Sequence, residues 1–137
     1  MAIEWNQTLM STGIPEIDAQ HKELIKRLDR LIDAMERGDS RAEVERLVPF
    51  LGEYATWHFG KEEKCMDAHR CPAALANRRA HASFLQMFAT LARRIEKEGP
   101  SLTLTLALQR EVSDWVRNHI VRVDSQLKQC VVSKAGG

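Results

Sequence analysis

Apolar positions recur at steps of three and four along four stretches of this chain, each roughly 20–28 residues long, as on the buried stripe of an amphipathic helix. The first stripe runs through His21, Leu24, Leu28, Leu31 and Met35, the second through Val44, Leu47, Leu51, Tyr54, His58, Glu62 and Cys65. Asn77, His81, Phe84, Phe88, Leu91 and Ile95 form the third, and Leu104, Leu108, Val112, Trp115 and His119 the fourth. No stretch carries a run of β-branched residues, and no segment repeats. Breaks fall at Gly13 and Pro15, at Gly38-Asp39-Ser40, at Cys71-Pro72 and at Gly99-Pro100-Ser101. Ser40 and Ser101 stand where N-caps are expected, and Pro72 suits a first helical turn. Pro49 either kinks the second helix or marks its start. The pattern predicts an all-α fold, an up-down-up-down four-helix bundle preceded by an N-terminal arm. One domain spans 1–137, with the arm over about 1–17 and helices over about 18–37, 41–68, 72–97 and 102–128.

Polar residues on these stripes carry the functional signal. His21, His58, Glu62, His81 and His119 all fall where core residues belong. An unpartnered buried imidazole or carboxylate is costly. Several of them, contributed by all four helices, call for a common partner, and a metal supplies one. His58 and Glu62, like Asn77 and His81, are spaced i, i+4 and share a helix face. His119 and Asp124 are i, i+5, roughly 140° apart in α-geometry, so periodicity alone supports Asp124 least. Nitrogen and carboxylate donors without a thiolate at a stripe centre suit iron or manganese, and zinc less well. Two carboxylates among four histidines can bridge two ions. A ferritin-like site would need paired Glu-x-x-His motifs, and no histidine here has a glutamate three residues before it. His69, beside the Cys71-Pro72 break, reads as a surface residue. Trp57, Trp115, Phe84 and Phe88 read as core packing.

Composition narrows the class. The chain has 137 residues, 44% hydrophobic and 28% charged, with a formal net charge of +1. This is a globular balance, long enough to bury a core without a structural metal. Near-neutral charge gives no footprint for nucleic acid, and no apolar run reaches the ~20 residues of a membrane span. The N-terminal residues do not resemble a secretory signal. Three cysteines, Cys65, Cys71 and Cys130, do not close into a full disulfide set. Free thiols in a reducing cytoplasm are expected, with Cys65–Cys71 the alternative pairing considered.

Taken together, GIPEIDAQH at 13–21, WHFGKEEKCM at 57–66, Cys71-Pro72, HASF at 81–84 and WVRNHIVRVD at 115–124 resemble the hemerythrin family, including single-domain bacteriohemerythrins. The likeness runs from Trp5 to about Asp124. It implies two iron ions with an oxo or hydroxo bridge and dioxygen as ligand. One iron would be held by His21 and His58, the other by His81 and His119, with Glu62 and Asp124 bridging. The apolar oxygen pocket would be formed by Leu24, Trp115, Val116 and Ile120. The family's remaining histidine corresponds to Asn77, whose amide is a poor iron ligand, so an open or weak coordination position is expected there. The reading that follows is an oxygen- or redox-sensing domain acting on a signalling output domain or partner protein. A reversible oxygen carrier or store is the alternative. No additional acid, base or substrate pocket suggests an enzyme, and no nucleic-acid or membrane partner is expected. The tail CVVSKAGG is compatible with either a natural end or the edge of a longer protein.

Overall fold

The computed structural model describes residues 4–124, 126–127 and 129–130, without the side chains at 123 and 124. A short helix α1 (Gln7–Met10) leads into α2 (Pro15–Glu36), α3 (Arg41–Ala68) and α4 (Ala74–Glu98). The last long helix is continuous but changes pitch. It consists of α5 (Leu102–Ala107), a π turn (Leu108–Val112), α6 (Ser113–His119) and a second π turn (Ile120–Asp124). No strand occurs among the described residues. Consecutive long helices pack against each other, and α5 returns to α2 and α4, closing an all-α bundle.

Local chemistry sets the ends. Ser40 and Ser101 accept from the backbone N–H of Glu43 and Leu104, capping α3 and α5. Pro15 occupies the first turn of α2, so this helix starts inside the stretch expected to be arm. Pro49 lies within α3, which runs through it. Pro72 sits in the turn before α4 and not in its first turn, because the backbone N–H of Ala74 closes on the carbonyl of Cys71. The arm is pinned by Asp18, whose carboxylate accepts from the Ser11 and Thr12 hydroxyls and the Thr12 N–H.

The main core runs through Leu28, Leu31, Leu51, Phe84, Leu104, Leu108 and their neighbours. A smaller cluster of Met66, Cys71 and Leu127 lies at the other end of α3. Two expectations need correction here. Trp57, read as core, is 49% exposed, since it lies one position off the stripe that carries His58. The cysteines are not all free: Cys71 and Cys130 form a disulfide with Cα atoms 5.7 Å apart, and Cys65 remains a thiol. The packing of Met66, Cys71 and Leu127 brings these distant positions together, which chain spacing alone does not reveal.

Candidate metal centre

Between the two core clusters lies a polar layer. His21, His58, Glu62, Asn77, His81 and His119 are all buried, and each sits on the helical stripe that sequence periodicity assigns to the interior. α2 supplies His21, α3 supplies His58 and Glu62, α4 supplies Asn77 and His81, and α6 supplies His119.

Glu62 is the hub. Its Oε2 lies 2.7 Å from His21 Nε2 and 3.2 Å from His58 Nε2, and its Oε1 lies 3.3 Å from His81 Nε2. Two groups have donor atoms mutually close enough to hold a cation: His21, His58 and Glu62, and Glu62, His81 and His119. Glu62 belongs to both. One carboxylate with one oxygen toward each group of imidazoles has the form of a bridge between two ions.

The imidazoles are aimed by residues that sequence reasoning missed. His58 Nδ1 is 2.8 Å from Gln20 Oε1, an oxygen that can only accept. A proton on Nδ1 would satisfy that oxygen, and a ring so held would offer an Nε2 lone pair to a cation shared with Glu62. His81 Nδ1 pairs in the same way with Glu63 Oε2 at 3.1 Å. The signal in the sequence was adjacency: Gln20 precedes His21, and Glu63 follows Glu62. Aromatic rings wall the layer. Phe59 stacks on His81 at 3.9 Å and 10°, and Trp115 stacks on His119 at 4.4 Å and 14°.

Asn77 faces the same carboxylate. Its Nδ2 donates to Glu62 Oε1 at 3.0 Å, while its Oδ1 is buried without a hydrogen-bond partner. His81 Nε2 is likewise buried without a hydrogen bond. The unbonded His81 Nε2, 3.3 Å from the Glu62 carboxylate, is a group that a cation beside Glu62 would satisfy. The neutral nitrogen and carboxylate donors fit iron.

Of the expected oxygen-pocket residues, Leu24, Val116 and Ile120 are buried in the main core, and Trp115 packs against it. His69 caps the end of α3, partly exposed, with Nδ1 2.9 Å from the Cys65 carbonyl. The side chain of Asp124 lies outside the described residues. Its backbone belongs to the second π turn, in which a hydrogen bond spans i to i+5. That turn brings positions 119 and 124 nearer to one helix face than α-geometry would.

The family model described as "Hemerythrin HHE cation binding domain" matches residues 12–131. The chain is 30% identical over 126 residues to a bacteriohemerythrin of Stenotrophomonas maltophilia (strain R551-3), covering 92% of this chain and 79% of the relative. To a bacteriohemerythrin of Methylococcus capsulatus (strain ATCC 33009 / NCIMB 11132 / Bath) it is 25% identical over 127 residues, covering 93% and 95%. The fold superposes on a crystal structure of wild-type hemerythrin with a TM-score of 0.81 at 25% identity, over 94% of this chain and 97% of the other.

Proposed function

Because the chain belongs to the hemerythrin family, we propose that its buried His–Glu layer holds two irons and that the protein is an oxygen- or redox-sensing domain. In this reading His21 and His58 hold one iron, His81 and His119 the other, and Glu62 and Asp124 are shared. The observation that carries it is the double membership of Glu62 in the two donor groups. Bound iron would supply one-electron redox chemistry and the place where dioxygen is taken up.

The residues of the chain divide the remaining work. Gln20 and Glu63 fix the ring orientation of His58 and His81. Leu24, Val116 and Ile120, with Trp115, keep water from one side of the layer. Asn77 is the departure that favours sensing. It offers the shared carboxylate a proton donor where the family pattern offers an imidazole, and its free Oδ1 can hold a water close to Glu62. Water and a proton donor at that position favour rapid loss of the oxygenated state, which suits a switch better than a store. The signal would pass to an output domain or partner protein.

A carrier or store is the second reading, favoured by the name "Bacteriohemerythrin" of the relatives and by the 95% coverage of the Methylococcus protein. Stopped-flow mixing of ferrous-loaded protein with oxygen separates the two. The oxygen-dependent absorption of the wild type should decay at least about tenfold faster than that of Asn77→His, the scale on which changes around a metal site commonly act. Equal lifetimes would remove the support for sensing and leave the carrier in front.

A further inference from the structure

The chain's three cysteines are the chemistry that the metal layer leaves unused. We propose that Cys71–Cys130 is an exchangeable disulfide, opened and closed by a low-molecular-weight peptide thiol of the glutathione type entering at Cys130. The proposal stands independently of the iron reading.

Three observations carry it. First, the pair is made, with Cα atoms 5.7 Å apart, within the usual range for a disulfide. Second, the two sulfurs differ in access. Cys71 is buried at 6% exposure and packs with Met66 and Leu127, whereas Cys130 is partly exposed. Third, a cavity of about 330 Å³ opens beside Cys130, lined otherwise by Pro72, Ala73, Gln126 and Gln129. That volume lies at the small end of ligand sites. Its two glutamine amides can hydrogen-bond the peptide groups of such a thiol, and Pro72 and Ala73 give it an apolar wall.

The step follows from this asymmetry. A thiolate in the cavity attacks the Cys130 sulfur, forming a mixed disulfide there, and the Cys71–Cys130 bond breaks with its electron pair leaving on Cys71. The Cys71 sulfur takes a proton from solvent. Attack falls on Cys130 because its sulfur is the partly exposed one beside the cavity, whereas Cys71 is buried. A second thiolate attacks the small-molecule sulfur of the mixed disulfide, releasing the oxidised small thiol and leaving Cys130 reduced. Overall, two small thiols are oxidised to one disulfide while the protein gains two electrons and two protons. The reverse reaction needs only the oxidised small thiol. Cys65 does not line the cavity, and burial holds its thiol above the ordinary range.

The test is equilibration of the full-length chain in anaerobic glutathione buffers of graded ratio, followed by acid quenching, alkylation and peptide mass mapping. Cys71 and Cys130 should titrate together as one two-electron couple, with Cys65 a thiol throughout. Mixed disulfide trapped early in reduction should lie on Cys130 at least about tenfold more than on Cys71. Opening the bond releases a cross-link over 59 positions, and Tm should fall by about 10 °C. Because Cys71→Ser and Cys130→Ser can perturb packing, the wild-type mapping is decisive. In the variants, Cys130 in Cys71→Ser should be glutathionylated faster than Cys71 in Cys130→Ser, at unchanged helicity. Independent titration of the two cysteines, adduct chiefly on Cys71, or a pair that stays closed at every ratio would overturn the proposal.

Discussion

Replacing Gln20 with leucine tests whether the residues behind the imidazoles tune the site. Gln20 is buried beside His58, and its Oε1 accepts from His58 Nδ1 at 2.8 Å. Leucine has similar bulk but no acceptor. The buried Nδ1–H would lose its partner, a loss of about 1–3 kcal/mol in the metal-free protein. With iron bound, the ring is also less basic and less well aimed, and losing a carboxylate or amide behind a ligating histidine lowers metal affinity about 10–100-fold. The matching change at Glu63 should be milder. Glu63 is partly exposed and also meets Arg78 Nε at 3.3 Å, so water can take over its role toward His81. Glu63→Leu is therefore expected near the tenfold end of that range and Gln20→Leu near the hundredfold end. Competition of ferrous-loaded protein with a chromophoric chelator gives the order. Gln20→Glu, which keeps the acceptor, should retain iron as the wild type does. Wild-type retention in Gln20→Leu, or a larger loss in Glu63→Leu, would refute the argument that buried orientation decides.

Glu62→Ala should lose most iron from both halves, since the carboxylate belongs to both donor groups, whereas His69→Ala, which alters only the partly exposed end of α3, should retain it; metal analysis after desalting distinguishes them. Pro49→Ala restores a backbone N–H in the interior of α3, where the side chain is exposed. It should raise the midpoint of thermal unfolding, by up to about 3 kcal/mol of stability, and an unchanged or lowered midpoint would mean that the proline geometry is needed by the packing of α3.

The bundle was legible in the sequence because period-3.6 stripes are a local property, and Ser40 and Ser101 mark helix starts by local hydrogen bonding. The buried layer was legible for the same reason: His21, His58, Glu62, His81 and His119 interrupt stripes that are otherwise apolar. What periodicity could not supply is direction across the interior. It places Asn77 on the buried stripe, and the family resemblance implies a weakened ligand position there, but neither predicts that its amide donates to Glu62. Gln20 and Glu63 look like ordinary surface neighbours until the helices pack and turn them toward His58 and His81. The π turn at Ile120–Asp124 is likewise invisible to an α-helical wheel, which counts every residue at 100°. Trp57 shows the opposite error. Its bulk suggested burial, yet its neighbour His58 holds the inward position. The Cys71–Cys130 pairing depends on how the last helix packs back against the α3–α4 turn, a tertiary fact with no local signature.

The central claim is that two cations share the carboxylate of Glu62. Anaerobic loading of the full chain with ferrous iron, removal of excess metal, and determination of iron and protein on the same sample test it most directly. The account predicts close to two irons per chain, falling together in Glu62→Ala. A single iron per chain at saturation, or a second iron that survives the loss of Glu62, would contradict it.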